Sequence, residues 1–233
     1  MGDINPYDCF LELVKKRRTI RQFKPDPVPD EYIAKIIEVA RWAPSGFHTQ
    51  PWEFVVVKNK ETRARIVAAL EQHGPPIKGK SQDRAKQASL QRSFRDAPVF
   101  ILLLIDWRAR VGLPDRVQEN DALVANLFCS SLASAFLCMH LAAAALGLAS
   151  QWYTSTARPE AERAIKDIIG IPEALKIYDM MVVGYAANPP VPKIVRDIKD
   201  MVHYDNCGAQ DFRTDEEVAT DARKTKDWCL TAH

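Results

Sequence analysis

Apolar and polar residues follow one another along the chain in patterns that predict both strands and helices. Runs rich in apolar residues at 52–58, 99–106 and 179–186 predict strands, and the second run (VFILLLID) is apolar enough to be buried on both faces. Residues 149–155 (ASQWYTS) predict a short strand or a turn. Strands of this kind need helices or a second sheet to cover their apolar faces.

Helix signals lie on either side of these strands. Asn5 followed by Pro6 is typical of a helix start, and Asp30 is predicted to cap a second helix that Pro44 ends. The apolar residues of the second helix form a single stripe: Ile33, Ile36, Ile37 and Ala40. Further helices are predicted at 62–70, 119–146 and 159–170.

The order of these elements predicts the fold class. Helices and strands are mixed without a regular βαβ alternation, which favours one α+β domain with a helix-covered sheet. The polar residues 71–95 predict a surface excursion or a lid. About 45 residues with few apolar runs follow the last strand, so this tail is expected to lean on something else, such as a partner subunit.

One segment has the length and apolarity of a membrane-spanning helix. Between Asp121 and Arg158, 36 consecutive residues lack Asp, Glu, Lys and Arg. Asn126, His140 and several serines are spread through this segment, and many of its other residues are small. Small residues and hydroxyl groups suit a helix packed closely on protein, so we expect a buried core or dimer helix rather than a membrane span.

Composition narrows the functional classes. A net charge of +2, with 47% hydrophobic and 27% charged residues, is ordinary for a globular protein and provides no global field to hold a polyanion. The five cysteines form no CxxC pair and the five histidines show no HxxxH or HExxH spacing, so we expect neither a disulfide framework nor a metal site. Reduced thiols and a polar first segment predict a cytoplasmic protein.

Positive charge is concentrated where the first helix should end. Residues 15–24 contain six cations and no acid, and three of the cations are Arg17, Arg18 and Arg21. Guanidinium groups make forked hydrogen bonds to phosphate oxygens, so three of them at a chain turn can hold a dianion. Cations that complement the negative end of a helix dipole are the simpler explanation of the run by itself. Nucleic acid is not expected as a partner, because no other basic patch accompanies this one.

A second candidate is the loop of residues 43–52, APSGFHTQPW. Its Pro-Ser-Gly sequence forces a tight bend directly after a helix, which exposes backbone N–H groups. Such a loop can bind a planar heterocycle with donors and acceptors together, whereas an ordinary helix-to-strand connection explains the bend equally well. The polar residues that the bend brings together are Ser45, His48, Thr49 and Gln50.

These segments together resemble the FMN-dependent nitroreductase superfamily. The sequences RRTIRQF (17–23), PVPDEYIAKIIEVARWAPSGFHTQPWEFVVVK (27–58), ALGLASQWYTS (145–155) and MVVGYAANPP (181–190) occur in the order and spacing of that family. The PSGFHTQPW loop is most similar to its iodotyrosine deiodinase-like branch. The resemblance, over about residues 10–205, implies a three-layer sandwich with a central mixed sheet covered by helices, in an intertwined homodimer with FMN at the subunit interface.

The resemblance also implies a domain organisation and a set of FMN contacts. Residues 1–205 are expected to form a single FMN-binding domain, and 206–233 an extension packed on the partner subunit. The family's phosphate-and-ribityl clamp matches Arg17, Arg18, Thr19 and Arg21, and a late basic residue on the same phosphate matches Arg196. The loop from the neighbouring subunit matches Ser45, Gly46 and His48. The position beside the flavin N5 matches Thr154, or Ser155 if the register shifts by one, with Tyr153 next to it.

The implied activity is reduction of nitroaromatic, quinone or related aromatic substrates by NAD(P)H, in alternating half-reactions. Reductive dehalogenation of halogenated phenols is one alternative, and a non-catalytic flavin-binding protein is the other. With nine glycines and no GxGxxG unit, the chain has no dedicated dinucleotide site, so the reductant should enter the substrate cleft. No acid–base pair is required, and no catalytic residue is assigned.

The chain departs from the deiodinase branch on the substrate side. The lid of that branch carries Glu, Tyr and Lys, whereas residues 71–95 contain no tyrosine, and Gln91 or Arg92 falls near the expected lysine. Cations outnumber acids there, which suits either an anionic aromatic substrate or simply a solvated lid. Phe47 is expected near the substrate, where its ring would stack on an aromatic ligand or plug the pocket.

Overall fold

The computed structural model describes residues 5–73, 94–190 and 193–231. Within them, five strands form one sheet: β1 (Phe23–Lys24), β2 (Trp52–Val57), β3 (Val99–Asp106), β4 (Ala149–Tyr153) and β5 (Leu175–Ala186). The helices are α1 (Pro6–Lys16), α2 (Asp30–Ala40), α3 (Lys60–Gln72), α4 (Asp115–Gln118), α5 (Asp121–Ala145), α6 (Pro159–Ile169) and α7 (Asp215–Thr231). Of the lid predicted at 71–95, residues 74–93, with Gln91 and Arg92, fall outside the described residues. At its described ends, Glu71 and Gln72 belong to α3 and Phe94 is fully buried rather than on the surface.

β5 is the long central strand of the sheet. It pairs with β3 along one side, while β4 and the short β1 pair with its other side, and β2 pairs with β3. We expected a mixed sheet, but every pairing between these strands is antiparallel. Among the described residues, parallel pairing is limited to the isolated bridge between Thr19 and Ser150.

Two helical layers cover the sheet, which confirms the predicted sandwich. The alternation of β3 shows this directly, because its side chains point by turns into two separate cores. The core beneath α2 and α5 receives Val99, Ile101, Leu103 and Ile105. The core beneath α3 and α6 receives Phe100, Leu102 and Leu104.

α5 is the long uncharged helix of the sequence, and it belongs to the core. Asn120 caps its start by accepting a hydrogen bond from the Leu123 backbone N–H at 3.0 Å. The helix has the length and apolarity to cross a membrane, yet one side of it packs on α2 and the sheet. Ten of its residues are buried: Val124, Phe128, Ser131, Leu132, Ala135, Phe136, Met139, His140, Ala142 and Ala143.

Two local predictions are corrected by the structure. Asp30 is the first residue of α2 rather than its cap: Pro29 occupies the cap position, and no side chain caps the helix. The exposed Asp30 carboxylate pairs with the ammonium of Lys58 instead. The strand expected at 179–186 begins earlier, at Leu175. A bulge at Tyr178 interrupts its pairing with β3 and turns Tyr178 and Asp179 towards the same face of the sheet.

Candidate cofactor site

The cationic residues at the end of α1 line a cleft at the edge of the sheet. α1 ends at Lys16, and the backbone of Arg17 is already extended (φ −59°, ψ 125°). The chain therefore leaves the helix and runs alongside β4. The cleft has a volume of about 170 Å³, and Lys16, Arg17 and Arg18 face the last turn of α5 across it.

Arg17 has the electrostatics of an anion-binding residue. Burial lowers the pKa of its guanidinium, and the neighbouring charge of Arg18 lowers it further. Among the described residues, no carboxylate lies within ion-pair distance of Arg17. A solvated helix end does not explain a half-buried cation held beside another cation, whereas a bound dianion does. The residues of the cleft therefore fit the phosphate group of FMN.

The remaining predicted clamp residues occupy two different places. Thr19 is half-buried and bridges to Ser150, and Arg21 is half-buried two residues further along the same edge. Arg196 is not among the residues that line the cleft. It is exposed after β5, where its Nη2 donates a hydrogen bond to the backbone oxygen of Asp200.

The predicted Pro-Ser-Gly loop is anchored on α5. Gly46 donates its backbone N–H to Ser131 Oγ at 3.0 Å, and the Ser131 hydroxyl donates to the Leu127 backbone oxygen at 2.7 Å. A Cβ atom on Gly46 would lie 3.0 Å from Leu127 Cδ2, so a larger residue would require the Leu127 side chain to shift.

The same loop carries unusual backbone strain. Phe47, His48 and Gln50 all have positive φ angles, of 52°, 56° and 45°. Non-glycine residues in this region cost of the order of 1 kcal/mol each, and such strain concentrates at functional sites. Ser45 Oγ accepts the Gln50 backbone N–H at 3.1 Å, which closes the loop on itself. The loop presents the Phe47 ring to solvent, at 57% exposure.

In one chain, the loop and the arginine cleft lie far apart. The loop contacts α5 at Ser131, whereas the cleft contacts α5 at Ala144. Thirteen residues of helix separate these two positions, which corresponds to roughly 20 Å at about 1.5 Å per residue. The structure therefore does not bring Ser45, Gly46 and His48 to the arginine cleft of the same chain.

β4 connects the arginine cleft to the predicted N5 contacts. Ser150 lies at the cleft, and Thr154 follows four residues later, roughly 13 Å further along an extended strand. Thr154 is exposed and Ser155 begins a short 3-10 segment. Tyr153 instead packs on Phe94, with ring centroids 4.5 Å apart, and burial raises the pKa of its hydroxyl.

Sequence reasoning missed a polar cluster behind β4. The Trp152 indole N–H donates to Asp179 Oδ2 at 2.5 Å, and its ring stacks on His140 with centroids 5.7 Å apart. Burial raises the pKa of Asp179 to about 6, and burial together with the charge of Arg17 lowers that of His140 to about 3. An acid beside the apolar run MMVV was the available signal for Asp179.

We expect Asp179→Asn to raise the free energy of unfolding by about 1–3 kcal/mol at pH 8. The folded pKa lies above the unfolded one, so the charged form is penalised only as the pH rises through the window from about 4 to 6. Asparagine removes the charge and still accepts from Trp152. Urea unfolding of the wild type and the variant between pH 4.5 and pH 8 measures the difference in their free energies of unfolding. His140 affects the pH dependence of both proteins in the opposite sense, so its contribution cancels in this difference.

Asp167→Asn is the matched control, because Asp167 is exposed on α6 and its change should leave stability within about 0.5 kcal/mol. A gain for Asp179→Asn of equal size at pH 4.5 and pH 8 would contradict the ionisation argument. In that case better packing, rather than loss of a buried charge, would explain the stabilisation.

Residues 14–185 match the sequence model of the nitroreductase family. Because this match spans most of the chain, the chain belongs to the nitroreductase family. The predicted family is thereby confirmed, and with it the predicted class of enzyme, an FMN-dependent NAD(P)H oxidoreductase.

Three similar proteins illustrate the breadth of the family. A protein of Methanothermobacter thermautotrophicus provisionally named NADH dehydrogenase/NAD(P)H nitroreductase is 28% identical over 202 residues, which is 87% of this chain and 89% of that protein. Iodotyrosine deiodinase 1 of Rattus norvegicus is 48% identical over 63 residues, only 27% of this chain and 22% of that protein. The crystal structure of an iodotyrosine deiodinase bound to FMN and 3-iodo-L-tyrosine has a TM-score of 0.67 at 23% identity, covering 85% of this chain and 100% of that one, and shows the shared fold.

Proposed function

We propose that this FMN-dependent oxidoreductase reduces nitroaromatic, quinone or related aromatic substrates with NAD(P)H in alternating half-reactions. The observation that carries the proposal is the half-buried Arg17 in a cleft beside Arg18, without a carboxylate partner among the described residues. A half-buried guanidinium with no such partner is placed to receive an anion.

The chain's own residues have three tasks in this proposal. Arg17 and Arg18 neutralise the phosphate, and Thr154 or Ser155 provides a backbone or hydroxyl donor at the flavin N5. A bound FMN supplies the hydride chemistry that amino acid side chains lack. Phe47, exposed on the strained loop, offers a flat apolar face on which an aromatic substrate can stack.

The active form in this proposal is a homodimer. In one chain, the loop and the cleft contact α5 at positions roughly 20 Å apart along the helix, which favours a loop from a second copy at each cofactor. In this arrangement the loop of the second copy reaches across to the cleft. α5 supports this arrangement, because only 39% of its most apolar stretch is buried in one chain and Leu123 and Leu137 are exposed.

The chain after β5 is proposed to complete the dimer. Several apolar side chains there are exposed within one chain, as expected of a segment that packs on a partner: Ile194, Val195, Ile198, Tyr204 and Phe212. We retain the division into an FMN-binding domain at 1–205 and an extension at 206–233. The extension contains a short 3-10 turn followed by α7.

A cytoplasmic location belongs to the same proposal. The cysteines whose state the structure describes are free thiols, namely Cys9, Cys129, Cys138 and Cys207. A reducing compartment keeps thiols in this state. NAD(P)H, the proposed reductant, is a cofactor of that compartment.

Reductive dehalogenation of a halogenated phenol is the second candidate function. The 48% identity to iodotyrosine deiodinase 1 over 63 residues favours it, although that match spans about a fifth of the deiodinase. Halide release from a panel of halophenols under argon, compared with reduction of a nitroaromatic and a quinone, separates the two candidates.

The proposed function predicts a defined spectroscopic behaviour. We expect purified protein to be yellow, with an oxidised flavin spectrum that NADH or NADPH bleaches under argon and that a quinone restores. Stopped-flow spectra record each half-reaction separately. Protein that stays yellow with both nicotinamides would favour a non-catalytic flavin-binding role, and colourless protein that takes up no added FMN would overturn the proposal.

A further inference from the structure

We propose that the hydroxyl group of Ser150 is a further phosphate ligand in the arginine cleft, and that the buried His140 positions this hydroxyl. The inference rests on the proposed FMN function, and it names a contact beyond the arginine residues. It also gives a role to a histidine for which the proposed chemistry has no other use.

Ser150 is placed rigidly against the arginine segment. It is 3% exposed and lines the cleft together with Arg17 and Arg18. Its backbone oxygen accepts the Ile20 N–H at 2.9 Å, next to the bridge between Thr19 and Ser150. An anion held by the guanidinium groups therefore lies beside the first residues of β4.

His140 holds the Ser150 side chain from the core side. The distance between His140 Nδ1 and Ser150 Oγ is 2.7 Å, and both residues are 97% buried. Burial and the charge of Arg17 lower the pKa of His140 to about 3, so the ring is neutral at physiological pH. One ring nitrogen is therefore a donor and the other is an acceptor.

The orientation of the histidine ring is set by its neighbours. It lies nearly parallel to the Trp152 ring, with an interplanar angle of 11°, and the edge of Phe136 packs on it at a centroid distance of 5.1 Å. Among the described residues, Nε2 has no hydrogen-bond partner. Within the part of the chain that the structure describes, the hydrogen bond to Ser150 is therefore the polar contact of this ring. If the ring only filled space, an apolar residue would do so without leaving a buried nitrogen unpaired.

The tautomer decides what Ser150 can do. When Nδ1 carries the proton, it donates to Ser150 Oγ, which frees the hydroxyl hydrogen to be donated into the cleft. A phosphate oxygen is the acceptor that the adjacent guanidinium groups would hold there. The cleft then binds a dianion with two charged donors and one neutral, pre-oriented donor.

Comparison of FMN with riboflavin tests the inference, because riboflavin lacks the phosphate. We expect Ser150→Ala to weaken FMN binding by the apoprotein roughly tenfold, which corresponds to one hydrogen bond to a charged group, and to leave riboflavin binding unchanged. Ser150→Thr keeps the hydroxyl and should bind FMN like the wild type. Quenching of flavin fluorescence gives both affinities.

A double-mutant cycle tests the positioning role of His140. His140→Leu should reduce the preference for FMN over riboflavin as much as Ser150→Ala does, and the double variant should show no further loss. A merely structural histidine would lower the melting temperature and weaken both flavins alike. Should His140→Leu fail to fold, His140→Gln provides the complementary test: its amide can still donate to Ser150 Oγ, so it should keep the preference for FMN, and loss of that preference would contradict the positioning role.

Arg17→Ala distinguishes failure of this inference from failure of the proposed function. If Arg17→Ala weakens FMN binding and Ser150→Ala does not, the arginine cleft holds the phosphate and the Ser150 inference is wrong. Equal weakening of FMN and riboflavin by Ser150→Ala also overturns it. If neither variant affects FMN binding, the cleft is not the phosphate site: the Ser150 inference is wrong, and the proposed function loses the observation that carries it.

Discussion

Replacement of Arg17 by alanine is expected to weaken FMN binding roughly 10- to 100-fold without destabilising the apoprotein. A charged hydrogen bond to phosphate contributes about 1.5–3 kcal/mol, which accounts for the loss of affinity. In the apoprotein, Arg17 has no carboxylate partner among the described residues and stands beside Arg18, so its removal relieves repulsion. Titration with FMN and thermal unfolding of the apoprotein measure the two effects.

Two further variants sharpen this experiment. Arg65→Ala removes an exposed arginine of α3 and should change neither measurement. Arg17→Lys keeps the charge but loses the forked geometry, so its affinity should lie between those of the wild type and Arg17→Ala. An apoprotein that loses stability with Arg17→Ala while binding FMN normally would identify Arg17 as a structural residue and remove the main support for the proposed site.

A heterodimer of two defective chains is expected to regain one FMN site. Arg17→Glu disables the cleft, and Ser45→Ala/His48→Ala disables the loop; each homodimer should bind FMN weakly. In a heterodimer the intact cleft of one chain faces the intact loop of the other, so about one functional site per dimer returns. Co-expression with two different tags, tandem purification and the flavin-to-protein ratio measure this recovery.

The alternative arrangement predicts a different stoichiometry. If loop and cleft of the same chain formed each site, both sites of the heterodimer would contain a defect and no occupancy would return. A wild-type chain paired with the Arg17→Glu chain is the positive control, since one of its two sites is intact under either arrangement. Recovery absent from the defective pair but present in this control would show that the site lies within one chain.

The sequence predicted the main elements because their signals are local. The strand at 99–106 is apolar on both faces, and the structure buries both, in two separate cores. Helix α1 begins where Asn5 and Pro6 predicted, with the Asn5 side chain accepting the Tyr7 N–H at 3.0 Å. Asp30 shows the limit of such signals, because its partner Lys58 lies 28 residues further along the chain, just after β2.

The candidate site was predicted only as a set of residue types. The arginine run by itself fitted a solvated helix end better than an anion site, and the burial of Arg17 beside Arg18 reversed that preference. His140 and Asp179 belong to no recognisable sequence motif, because their partners Ser150 and Trp152 lie on a different element, β4. Contacts between distant segments leave no periodic trace in the sequence.

By itself, the sequence determined which segments form helices and strands, since periodicity and capping act over a few residues, and its motifs resembled one enzyme family. Only the tertiary structure decided the antiparallel pairing of the sheet and the bulge at Tyr178. It also decided the burial of the arginine pair and the separation of the loop from the cleft along α5. These properties depend on packing between residues far apart in the chain. Burial and the distances between charged groups then determine how favourable each charge is.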